Sequence, residues 1–61
     1  MSITPETLAQ RLRRAREVAG ITQEAAAQAL GVPRTAVVQI EAANRTVSSL
    51  ELATLAGLYG V

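Results

Sequence analysis

The sequence predicts an all-α domain of four short helices, and three observations predict it. Each of four segments opens on a residue suited to a helix start, and three of them close on glycine. Apolar residues inside the segments recur at steps of three and four. None of the intervals has the period-two alternation or the turn chemistry of a strand.

The first helix is expected over about 5 to 19. Thr4 can cap it, Pro5 suits its first position, and Glu6 meets the positive end of the helix dipole. Ile3 and Leu8 fit a hydrophobic staple around that cap. Its apolar face reads Leu8, Leu12, Ala15 and Ala19, and Gly20 supplies a left-handed stop. The second helix starts at once, capped by Thr22, and runs over 23–30 to Gly31. Pro33 opens a third segment over about 34–42, with Val37, Ile40 and Glu41 facing inward. The fourth, over 49–59, has the clearest start: Ser48 with Glu51 forms a capping box, and Val47 with Leu52 a staple. Leu52, Leu55, Ala56 and Tyr59 keep helical spacing up to Gly60.

Composition narrows the function. The chain has 61 residues, six Arg and five Glu, and contains no His, Cys, Lys, Asp, Trp or Phe. A His/Cys metal site, a disulfide, a Ser-His triad and a Cys nucleophile are therefore impossible within it. General acid/base work would fall to scattered Glu or the single Tyr59, so no enzyme activity, metal or other cofactor is expected. Residues 1–61 form one domain near the lower limit for folding without staples. Twelve of the apolar residues are Ala, so the core must come from 16 Leu, Val and Ile. No stretch is long and apolar enough for a membrane span or a signal peptide, and a soluble cytoplasmic protein is expected. A net charge of +1 carries no strong nucleic-acid signal, so the distribution of charge matters more than its sum.

The middle pair of helices, Thr22 to Ala42, has the layout of a helix-turn-helix. Two helices crossing steeply need a small side chain where their axes approach, which Ala27 provides, and the turn needs a residue free to take positive φ, which is Gly31. With Leu30, Val32, Val37 and Ile40 turned inward, Arg34, Thr35, Val38 and Gln39 remain outward on the third helix.

From Leu8 to Val61, through RLRRAREVAGITQEAAAQALGVPRTAVVQIEAANR and then VSSLELATLAGLYGV, the chain resembles the Xre or Cro-like helix-turn-helix family of phage and bacterial repressors. AREVAGITQE and VSSLELATLAGLYG are also similar to a subgroup found ahead of a metallopeptidase-like or other effector domain. The resemblance implies a transcriptional regulator that binds duplex DNA sequence-specifically, with the third helix in the major groove. It implies base reading by Arg34, which can offer a fork to guanine, by Gln39, suited to adenine, and by Thr35 and Val38, which can pack on a thymine methyl. Phosphate contacts are implied for Thr22 and Gln23 at the start of the second helix and for Asn44, Arg45 and Thr46 after the third. Arg11, Arg13 and Arg14 are expected as a solvated helix face that adds long-range attraction. Arg16 and Glu41 fall on otherwise inward faces, and the resemblance pairs them as a structural ion pair. A homodimer is expected, because one small module contacts few bases.

Three departures from the family pattern stand out. Ala43 occupies a usual Gly position, where a left-handed turn would cost about 1 kcal/mol, so Asn44 is the alternative for the strained site. Ala26 stands where Leu or Val is usual, which implies a thinner core or closer helix approach. The family usually continues into a fifth helix, so the chain is expected to be a fragment with a further segment or domain after Val61, and Leu50, Leu58 and Val61 are expected to be uncovered. The rival reading is an antitoxin-like protein-interaction module that keeps the fold without binding DNA, favoured by Val38, Leu50, Leu58 and the modest charge.

Overall fold

The computed structural model describes residues 3–61. Among them are four α-helices and no strand: α1 (Pro5–Ala19), α2 (Gln23–Leu30), α3 (Arg34–Glu41) and α4 (Ser49–Tyr59). Local chemistry accounts for their ends. The hydroxyls of Thr4, Thr22 and Ser48 accept hydrogen bonds from the N–H groups of Thr7, Ala25 and Glu51, and the Glu51 carboxylate accepts in return from the Ser48 N–H. Gly20 and Gly31 close α1 and α2 in the left-handed region, where a side chain would be strained.

α3 ends one residue before the expected Ala42. Ala42 leaves helical geometry at φ −92°, ψ 2°, because the next residue, Ala43, turns the chain at φ +61°. Ala43 itself therefore takes the left-handed conformation, and Asn44 does not.

α2 lies at the centre, packed against α3 and α4, while α1 closes over the same two helices. The core joins Leu12, Ala26, Ala27, Val37, Ile40, Leu55 and Tyr59, so all four helices contribute. α2 buries only two alanines, with Ala26 completely shielded. Helices meeting through methyl groups approach closely, which is how a chain poor in bulky side chains closes a core. Along α1 the buried residues are Ala9 and Leu12, with Leu8 and Ala15 half-buried. Ala19, expected inward, is exposed in the final turn together with Val18.

Two surface features follow from this packing. An apolar groove of about 530 Å³ runs between α1 and the α3–α4 loop, lined by Ile3, Leu8, Leu12, Val47 and Leu52 among others. The outward side of α4 shows Leu50, Ala53, Thr54, Gly57 and Leu58 and carries no charge, since Glu51 is the helix's only ionisable group besides Tyr59 and reaches Arg45 instead. Among the described residues no helix is long and apolar enough to cross a membrane.

Candidate nucleic-acid interface

The turn between α2 and α3 is three residues long. Gly31 donates to the Gln28 carbonyl at 3.1 Å and Val32 to the Ala27 carbonyl at 3.0 Å, so two of the four carbonyls ending α2 are satisfied while the chain reverses. Pro33 then holds φ −65° and delivers Arg34 as the first residue of α3. Val37 and Ile40 bury the inner side of this two-turn helix. Arg34, Thr35, Val38 and Gln39 lie exposed on its outer side, and Val38 keeps 41% of its surface open. A step of 100° per residue sets Arg34 and Val38 on the flank toward α1 and α2, and Thr35 and Gln39 on the opposite flank.

Beside the first flank is an open polar depression of about 700 Å³, walled by Arg13 of α1, the cap residue Thr22, Gln23 and Glu24 of α2, and Arg34 and Val38 of α3. Arg16 and Glu41 form its inner side. Glu24 and Glu41 oppose the three arginines Arg13, Arg16 and Arg34, leaving one net positive charge. The N–H groups that begin α2 have no carbonyl within their own helix and carry the positive end of its dipole.

Arg16 and Glu41 are the anchor. Arg16 Nε donates to Glu41 Oε2 at 2.7 Å and Nη2 to Oε1 at 3.1 Å, while Nη1 donates to the Ile21 carbonyl at 3.0 Å. The hydrogen bond to Glu41 raises the Arg16 pKa above its ordinary value, against the opposing effect of burial. Gln23 Nε2 also donates to Glu41 Oε1, at 3.1 Å, and Gln23 Oε1 accepts from Arg34 Nη2 at 3.3 Å. A polar relay thus runs from the half-buried ion pair to the exposed start of α3.

Residues 7–61 match the family described as a helix-turn-helix domain. The chain belongs to that family. A search of curated proteins finds none that matches it.

In this helix-turn-helix domain the remaining sequence-selected residues are dispersed. Thr22 is exposed, with its hydroxyl engaged in capping α2. Asn44 and Thr46 are exposed in the α3–α4 loop. Arg45, between them, turns inward, its Nη2 3.2 Å from Glu51 Oε2, so it ties the loop to the first turn of α4. Hydrogen bonding from the Ser48 backbone, and then the nearby Arg45 charge, lower the Glu51 pKa. Arg13 pairs with Glu17 at 3.3 Å on the surface of α1, and Arg11 and Arg14 are exposed.

Two relationships were not readable from the helix-turn-helix pattern. Gln23 reaches Glu41 across 18 positions and Arg34 across 11, separations that no local periodicity encodes. The Arg45–Glu51 pair had a signal, a basic residue flanking a capping box whose Glu has one carboxylate oxygen to spare.

Proposed function

We propose that the domain binds duplex DNA sequence-specifically, as the recognition module of a cytoplasmic transcriptional regulator of the Xre, repressor-like type. The observation that carries this reading is the exposed Arg34, Thr35, Val38 and Gln39 on a short helix whose other side is locked into the core. Eight residues span about 12 Å, a length that fits a major groove about 12 Å wide. Arg34 would face guanine O6 and N7, Gln39 an adenine edge, and Thr35 and Val38 a thymine methyl. Thr22, Gln23 and the open N–H groups of α2 would meet one phosphate run, and Asn44 and Thr46 another. Arg45 would join them only by leaving Glu51.

Affinity per copy would be low, because the positive charge beside α3 is small, and two copies on paired half-sites would supply the rest. The uncharged outer side of α4, with Leu50 78% and Leu58 36% exposed, supports association with a second copy. The same surface favours a second reading, a protein-interaction module that does not bind DNA. Arg34→Ala separates the two: it weakens binding to the preferred duplex and relaxes its sequence preference on the first reading, and leaves partner binding intact on the second.

The direct test is titration of the labelled domain with a pool of random duplexes at low and moderate salt, followed by amide NMR shifts. Shifts confined to Gln23, Arg34 to Gln39 and Asn44 to Thr46 are expected. An unchanged spectrum at low salt would transfer the assignment to the protein-interaction module.

A further inference from the structure

The apolar groove between α1 and the α3–α4 loop is left open by small side chains. Leu12 and Ile40, both buried in the core, reach it from beneath, while Ala9 of α1 and Ala43 of the loop are too short to fill it. Its volume of about 530 Å³ lies in the range of small-molecule sites, and it shares their make-up of apolar walls with a few polar groups. Among the described lining residues only Thr4, Arg45 and Thr46 are polar. The Thr4 hydroxyl is engaged in capping α1, which leaves Arg45 and Thr46, side by side on the loop. Arg45 is the one ionisable group of that lining, and its Nη2 donates to Glu51 Oε2 at 3.2 Å. Its Nη1 is shielded from water and donates to no atom among the described residues. An N–H group held in this way has lost its hydration and gained no acceptor in exchange.

We infer that the groove binds a medium-chain aliphatic carboxylic acid, with the alkyl chain against the apolar walls and the carboxylate on Arg45. The site is separate from the outer side of α3 and does not rest on the DNA-binding reading. An alkyl chain suits these walls better than a peptide does, because every peptide unit brings an N–H and a carbonyl that need partners, and the walls offer few. A carboxylate head suits the single cation. A guanidinium has five N–H groups and can serve two carboxylates, so Glu51 keeps Nη2 while the ligand takes Nη1. The Arg45 side chain is 34% exposed, which leaves it room to turn Nη1 toward an acceptor in the groove.

Titration of the 61-residue chain at neutral pH with octanoate, decanoate and dodecanoate, each below its micelle concentration, tests the site. Methyl NMR signals of Leu8, Leu12, Val47 and Leu52 should shift, and affinity should rise by up to about fourfold for each added methylene. Decanol, equal in chain length but uncharged, should bind about tenfold more weakly than decanoate. Arg45→Met should lower decanoate binding to the level of decanol and leave decanol binding unchanged. That variant also loses the pair with Glu51, so Glu51→Gln is its control: it breaks the same pair, keeps Arg45, and should bind decanoate at least as tightly as the unaltered chain. Equal loss in both variants would trace the effect to the broken pair and overturn the head-group role, as would equal binding of decanol and decanoate by the unaltered chain. Shifts confined to Leu50 and Leu58 would put the alkyl chain on the outer side of α4 instead. Groove shifts that follow protein concentration without ligand would give the groove to a second copy. Either result overturns the site, and so does a spectrum that none of the three acids changes.

Discussion

Arg16 and Glu41, 25 positions apart, form a two-pronged ion pair whose side chains are only 12% and 6% exposed. It spans from the end of α1 to the last residue of α3, and its third donor holds the carbonyl of Ile21 just before α2. Three helices are thereby tied at one point, directly beneath the proposed reading helix.

Arg16→Ala is expected to destabilise the domain by about 3–5 kcal/mol, because it leaves the Glu41 carboxylate shielded and without its cation. A core of this size rarely supplies more than about 3–5 kcal/mol in total, so the variant should be largely unfolded by circular dichroism at 25 °C. Arg16→Met combined with Glu41→Leu should recover most of the helical signal, since an apolar pair needs no partner charge. An Arg16→Ala domain that melts at the unaltered temperature would show the pair to be dispensable.

Ala43→Gly is expected to stabilise the domain by about 0.5–1 kcal/mol. At φ +61° the alanine side chain crowds its own backbone, a strain glycine lacks, although glycine also loses more freedom on folding. For a chain of this length that corresponds to a rise in Tm of about 4–8 °C, readable by calorimetry. Asn44→Gly, at a residue that does not take positive φ, should not stabilise it.

Much of this fold was legible because it is locally encoded. Thr4, Thr22 and Ser48 satisfy N–H groups three residues away, and Gly20 and Gly31 act through their own backbone angles. Ala26, noted as undersized, is the most shielded residue of the core, as close helix approach requires. The turn at Ala43 was identified as a site of strain, but which residue would bear it depended on the path into α4. Ala19 fits the α1 periodicity and is nonetheless exposed, since periodicity cannot say where a neighbouring helix stops. The site was legible as a set of outward positions on α3. The relay through Gln23 was not, because an amide's role depends on which of its two ends a distant partner takes.

Glu51 supplies a pH dependence with a definite sign. Its folded pKa lies below the ordinary value of 4.5, chiefly through the hydrogen bond from the Ser48 backbone and next through Arg45. A depressed carboxylate pKa means that the unfolded chain takes up the proton first as the pH falls. The Glu51 contribution is therefore complete above about pH 4.5 and is lost as the pH falls through the lower folded value. Glu51→Gln retains the acceptor for the Ser48 N–H but removes the charge. Urea midpoints measured from pH 6 to pH 3 should fall less steeply for that variant, and parallel curves would exclude Glu51 as their source.

Arg34 and Arg14 are both exposed arginines, and the proposed DNA geometry assigns them opposite signatures. Arg34 begins the reading helix and has a defined partner in Gln23, so its removal should act on one base pair. Arg34→Ala is expected to lose about 1–3 kcal/mol of discrimination at a single guanine. Arg14 lies on the solvated side of α1, outside the set of residues that wall the polar depression. Arg14→Ala should weaken binding to all duplexes alike, through long-range attraction alone, and the loss should fade as salt rises beyond about 0.15 M, where the screening length is about 8 Å. Fluorescence anisotropy with a selected duplex and its single-base variants, at two salt concentrations, distinguishes the patterns. If Arg34→Ala also weakened every duplex equally, the helix would be gripping backbone rather than reading bases, and the specificity would have to come from Thr35, Val38 and Gln39.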